Sequence, residues 1–86
     1  MRIDVYLKLI GAAKTRSQAA RMVDNHRARL VGYGGNLKNS NEVFPGERYE
    51  VDKATGMDVF EVLAVPPGNS LSKKDRPLYV KHTQTL

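Results

Sequence analysis

Ile3-Asp4-Val5-Tyr6-Leu7-Lys8-Leu9-Ile10-Gly11, followed three residues later by Thr15-Arg16-Ser17-Gln18-Ala19-Ala20-Arg21-Met22-Val23, decides the fold. Ile3, Tyr6, Leu7 and Ile10 recur at i, i+3, i+4 and i+7, the apolar stripe of a short helix. Asp4 stands at its start, where a carboxylate can cap free amides and oppose the helix dipole. Gly11 is placed to end it. Thr15 to Gln18 reads as a capping box, with Thr15 as N-cap and Gln18 as its reciprocal partner. Ala19, Met22 and Val23 form the apolar face of a second helix. At 100° per residue, Lys14, Ser17, Gln18, Arg21 and Asn25 gather on the opposite, polar face. So short a connection predicts that the two helices pack as an αα-hairpin.

Beyond Ala28 the period changes. Leu30-Val31 reads as a short strand, and Gly32-Tyr33-Gly34-Gly35-Asn36 as a hairpin turn of residues that tolerate positive φ. Leu37 to Val43 is a weak strand candidate. Pro45-Gly46 has type II turn chemistry. Arg48 to Val51 alternates polar and apolar, as a half-buried strand does. Ala54-Thr55-Gly56 is another turn, Asp58 to Val65 a strand, and Pro66-Pro67-Gly68 its end. Two helices followed by a small antiparallel sheet make an α+β fold. The expected organisation is one domain over 1–66 with a C-terminal tail over 67–86. Ser72-Lys73-Lys74-Asp75 could cap a helix, but Pro77 opposes its body. The tail is therefore expected to be short, irregular and only partly ordered: a turn of helix at most, then an extended or disordered end.

The charge is divided along the chain. The first thirty residues hold seven cations against two acids, Asp4 and Asp24, a net +5. Residues 42–61 hold two cations against six acids, a net −4. A local positive field attracts a polyanion, whereas an evenly mixed surface does not. The bland alternative is a basic protein kept soluble by its charge. With 86 residues the chain makes one small domain. The absence of Cys removes disulfides, thiol nucleophiles and thiolate metal sites, and fits a cytoplasmic location. No apolar run approaches a membrane span, and Met1-Arg2-Ile3-Asp4 is unlike a secretory signal.

Arg16 occupies the first turn of the second helix, where the dipole makes a cation mildly unfavourable. With Lys14 beside it, an anion docking on the free amides would explain the pair; a solvated surface Arg explains it equally well. The face with Lys14, Ser17, Gln18, Arg21 and Asn25 suits a phosphate–sugar surface, and equally an ordinary solvated helix face. His26 continues the line of Ala19, Met22 and Val23, which favours a partly buried or capping histidine over a metal ligand. His82 has no carboxylate or Cys at metal spacing. No nucleophile–base set, paired-carboxylate set, phosphate-binding loop or dinucleotide fingerprint is present. The six aromatic residues do not form the adjacent platform of base-stacking sheets. Tyr33 could stack on a base or serve only in its turn. The expectation is a protein that is not an enzyme and that uses no cofactor, metal or small-molecule substrate.

The ordered set Arg2-x-Asp4-x-x-Leu7-Lys8, Lys14-x-Arg16-Ser17-x-Ala19, Met22-Val23, a glycine turn, and Lys38-x-Ser40-x-x-Val43-x-Pro45-Gly46-Glu47-x-Tyr49-x-Val51 resembles the S-four RNA-binding domain, the type named for ribosomal small-subunit protein four. The match spans about residues 2–51. The resemblance implies the alpha-L RNA-binding motif, two helices on a small antiparallel sheet, with structured RNA across the helical face. It implies RNA contacts at Arg2, Lys8, Lys14, Arg16, Ser17, Arg21 and Lys38, and a role for Asp4 in orienting the arginines or capping the helix. The length is similar to the short stand-alone bacterial members, those of ribosome-associated quality control and a related heat-shock ribosome-binding group. Ser72-x-Lys74-Asp75 with Leu78-Tyr79 loosely resembles the tail of the former. Those members imply binding to rRNA and tRNA on the large ribosomal subunit of stalled ribosomes. The chain departs from the family where Asn25-His26 replaces a glycine after the second helix, and in a first turn about two residues longer. Two other readings stay open: a protein-interaction adaptor, and an RNA-targeting accessory to a separate RNA-modifying enzyme.

Overall fold

A computed structural model describes residues 1–85, with nothing described of the side chains of Gln84 and Thr85. Leu86, the end of the expected tail, lies outside the described residues. The elements run α1 (Ile3–Leu9), α2 (Arg16–Asp24), β1 (Ala28–Leu30), β2 (Arg48–Lys53), β3 (Gly56–Val62), a 3₁₀ turn (Arg76–Leu78) and β4 (Val80–Thr85). The strands form one antiparallel meander in the order β1-β2-β3-β4.

Local chemistry sets the helix ends. Gly11, at φ +84°, takes the left-handed position that stops α1. Thr15 caps α2, its Oγ1 accepting from the Gln18 N–H at 3.0 Å. The expected reciprocal bond differs in detail: Gln18 Oε1 accepts from Lys14 N at 2.8 Å, one residue before the cap. After α2, His26 N donates to Val23 O and Arg27 N to Met22 O, which is a Schellman closure. His26 fills its left-handed position at φ +58°. It is therefore the capping histidine of the two alternatives, and it is exposed rather than partly buried.

The apolar stripe of α1 packs with Ala19 and Val23 of α2 onto Tyr49, Val51, Phe60, Val62 and Val80 of the sheet. Phe60 sits between Tyr49 (5.7 Å, stacked) and Tyr6 (6.2 Å) at the centre. Alternation in β2 and β3 turns these residues inward, as period two requires. The opposite face carries Arg29, Arg48, Glu50, Asp52 and Glu61.

Several expectations change. Leu37–Val43 is not a strand, and Gly32–Asn36 is not a hairpin turn. Strand β1 pairs with β2 instead, with Leu30 opposite Tyr49, and the whole of 31–47 connects them. The end of that connection pairs with the chain start: Ile3 N donates to Asn41 O, Val43 N to Met1 O, and Arg2 bridges Glu42. The Pro45-Gly46 turn forms as expected, with Gly46 at φ +91°. Strand β3 begins two residues before Asp58 and ends at Val62. Residues 67–75 are irregular, but the extended end is a fourth strand. Pro77 is the second residue of the 3₁₀ turn, where its missing N–H costs nothing. Tyr6 then donates to Tyr79 O at 2.8 Å, and Val80 enters the core.

Candidate nucleic-acid interface

The helical hairpin closes on one buried carboxylate. Asp4, 2% exposed, accepts from Val5 N and Arg2 Nε through Oδ1. Its Oδ2 accepts from Arg2 Nη2 at 3.1 Å and from Arg16 Nε at 3.5 Å. Arg2 caps the start of α1 and Arg16 is the first residue of α2, so Asp4 joins the two helix starts. Both arginine side chains stay about half exposed, at 47% and 58%. A carboxylate out of solvent thus holds two guanidinium groups whose other nitrogens have no intramolecular partner among the described residues. Arg2 Nε also donates to Asn39 O, and Asn39 Nδ2 to Asp24 Oδ1. These bonds bring the exposed Lys38 to the edge of the same surface.

Ser17, Gln18, Arg21 and Asn25 are exposed on α2, as its periodicity requires. Gln18, Arg21 and Asn25 border a hollow of about 270 Å³ with Met22 and Arg27. At the front of α2 the capping bonds occupy the Lys14 and Gln18 amides. The Arg16 and Ser17 amides have no intramolecular partner among the described residues. These two N–H groups are available to an anion there.

Lys8 and Lys14 belong to a neighbouring hollow. They line a pocket of about 410 Å³ with Lys73 and Arg76 of the C-terminal segment. The sequence reading missed both of the latter. The signal was the run Lys73-Lys74-x-Arg76, but nothing local said where the tail would lie.

The two faces differ in how their charges are used. On the sheet, Arg29 pairs with Asp52 at 2.9 Å and Glu50 at 3.9 Å, and Arg48 with Glu61 at 3.6 Å. The Arg29 hydrogen bond holds the Asp52 carboxyl below its ordinary pKa. Lys53 and His82 flank the buried Asp58 at 3.4 and 3.0 Å. The strand register, Phe60 opposite His82, supplies the carboxylate that sequence spacing did not. Lys8, Lys14, Arg21 and Lys38 make no ion pair among the described residues. The sheet's field is thus largely self-cancelled, while that of the helices is open to solvent.

Comparison with solved structures places this architecture among known folds. The chain superposes on trimeric heat shock protein 15 of Vibrio cholerae with a TM-score of 0.84, at 19% identity, over 96% of this chain and 81% of that one. It superposes on the solution structure of a hypothetical protein, HP1423, with a TM-score of 0.79, at 28% identity, over the full length of both. The fold is that of heat shock protein 15. No family model and no curated protein sequence matches the chain.

The aromatic residues offer no stacking platform on the sheet: Tyr6, Tyr49 and Phe60 are core residues. Tyr33, half exposed, folds its ring over Gly35. Among the described residues no group of three or more His, Asp or Glu could hold a metal ion, and no helix is long and apolar enough to cross a membrane.

Proposed function

We propose that the protein is a non-catalytic RNA-binding module. Its helical face, with Arg2, Lys8, Lys14, Arg16, Ser17, Arg21 and Lys38, engages the phosphate backbone of a structured RNA. The observation that carries this reading is the division of charge. The sheet's arginines are spent on its own acids, whereas the cations of the hairpin are free or anchored from below by Asp4 with donors pointing outward. A surface that offers guanidinium donors, a serine hydroxyl and two bare helix amides suits phosphate and sugar more than a base edge. The sequence resemblance to the S-four domain and the shared fold with heat shock protein 15 support the same reading. They also favour its finer form, binding to rRNA and tRNA on the large ribosomal subunit, in the service of stalled-ribosome quality control.

The test is sedimentation of the protein with separated ribosomal subunits, followed by filter binding to purified large-subunit rRNA over a salt series. Coverage of ~4–6 phosphates gives a slope of log K against log salt of roughly −3 to −5. A flat salt response, or no co-sedimentation with either subunit, ends the reading. Recovery of proteins without RNA after nuclease treatment would favour an adaptor.

A further inference from the structure

Four cations enclose a pocket that the helical face alone does not explain. Lys8 comes from α1, Lys14 from the turn before α2, and Lys73 and Arg76 from the C-terminal segment. Leu9, Gly11, Ala13, Ser70 and Leu71 complete the wall. No carboxylate lines it. The nearest acid in sequence, Asp75, is turned to the Ser72 hydroxyl at 3.1 Å. Helix capping accounts for part of Arg76: its Nε donates to Leu9 O at 3.1 Å, at the negative end of α1. It does not account for the three lysines. Like charges gathered around one hollow repel, and the arrangement is relieved when an anion sits among them.

The backbone is cut to fit this assembly. A Cβ on Gly11 would lie 2.5 Å from Arg76 Nη1, so a bare backbone lets the guanidinium lie against the turn. The Leu9 bond uses one donor nitrogen, which leaves Nη1 and Nη2 for a ligand. The volume of about 410 Å³ falls within the range of small-molecule sites, about 300–1,000 Å³.

We propose that this pocket is a phosphate-binding site, in which Lys73 and Arg76 of the C-terminal segment complete a cradle begun by Lys8 and Lys14, and that its occupant is a backbone phosphate of the bound RNA. This rests on the RNA-binding reading and extends it. The C-terminal segment becomes a second point of contact, and the RNA runs from the Arg2–Arg16 cluster past the end of α1.

The experiment uses the full chain, wild type and the exposed-loop variants Lys73→Ala and Lys73→Arg. Amide NMR shifts are followed as inorganic pyrophosphate is added, and filter binding to large-subunit rRNA is measured over a salt series. In the wild type, pyrophosphate shifts the Gly11, Ala13, Leu71 and Lys73 amides. Lys73→Ala loses those shifts, weakens RNA binding about 3- to 10-fold and shallows the salt slope by about 0.7–0.9, one phosphate contact. Lys73→Arg keeps all three properties. If Lys73→Ala binds RNA with unchanged affinity and slope while Arg16→Ala weakens it, the pocket's RNA role is overturned and the helical-face reading stands. If pyrophosphate shifts appear but the wild type binds no RNA, the RNA reading falls and the occupant is a free phosphate compound. Absence of pyrophosphate shifts in the wild type overturns the site itself.

Discussion

Arg16 reaches back across the helical hairpin to Asp4, its Nε 3.5 Å from a carboxylate oxygen that is almost wholly out of solvent. Arg2 holds the same oxygen at 3.1 Å. One acid therefore sets the direction of two guanidinium groups from different helices, and it joins folding to the proposed recognition.

Replacing Asp4 by Ala should lower both stability and RNA affinity, although it raises the net charge. The change removes an acceptor of four hydrogen bonds and frees two arginines. A loss of about 1–3 kcal/mol is expected, or several degrees in Tm. Circular dichroism melting and filter binding check both parts. An increase in RNA affinity would show that charge alone, without arginine placement, governs binding.

Arg21→Ala and Arg48→Ala should separate the two faces. Arg21 is exposed on α2 without an acid partner, whereas Arg48 pairs with Glu61 on the sheet. The first should weaken RNA binding and shallow the salt slope by about 0.7–0.9, with stability within about 0.5 kcal/mol of wild type. The second should leave RNA binding within about twofold, because that charge is already matched. Equal effects from both would remove the distinction between the faces.

His26→Gly should stabilise the fold. A left-handed residue with a Cβ costs roughly 1–2 kcal/mol, part of which is returned as the greater freedom of glycine in the unfolded chain. A net gain of about 0.5–1 kcal/mol is expected in urea unfolding. His26→Val should lose stability, since a β-branched side chain tolerates that φ worst.

Stability should fall steeply in alkali. Burial pushes the Tyr6 phenol well above its ordinary pKa of 10.0; for Tyr49, burial is joined by its hydrogen bond to Glu47. Groups with raised native pKa values contribute stability that is complete below the unfolded value and lost as pH rises towards the folded one. Above pH ~10 the unfolded chain releases two protons that the native state keeps, so ΔG falls by about 1.4 kcal/mol per pH unit for each tyrosine. Urea unfolding between pH 9 and 11 checks this, and Tyr49→Phe should halve the tyrosine part of the slope.

Much of this molecule is legible in order along the chain. The stripe Ile3, Tyr6, Leu7, Ile10, the Gly11 stop, the Thr15 cap and the Pro45-Gly46 turn each depend on residues within a few positions, so propensity and sterics decide them. The two helices, the polar face of α2 and the α+β class follow from those local rules. The partner of β1 was not legible. Residues 37–43 lie nearer in sequence, but their end is claimed by Met1–Ile3, which leaves β1 to Arg48–Lys53. Nor could local spacing show that Arg16 reaches Asp4, a role for Asp4 that only the family resemblance implied, that His82 meets Asp58, or that Lys73 and Arg76 return to Lys8 and Lys14. Those pairings join residues 12 to 68 positions apart, and such contacts are selected only when the whole core packs and the last strand docks.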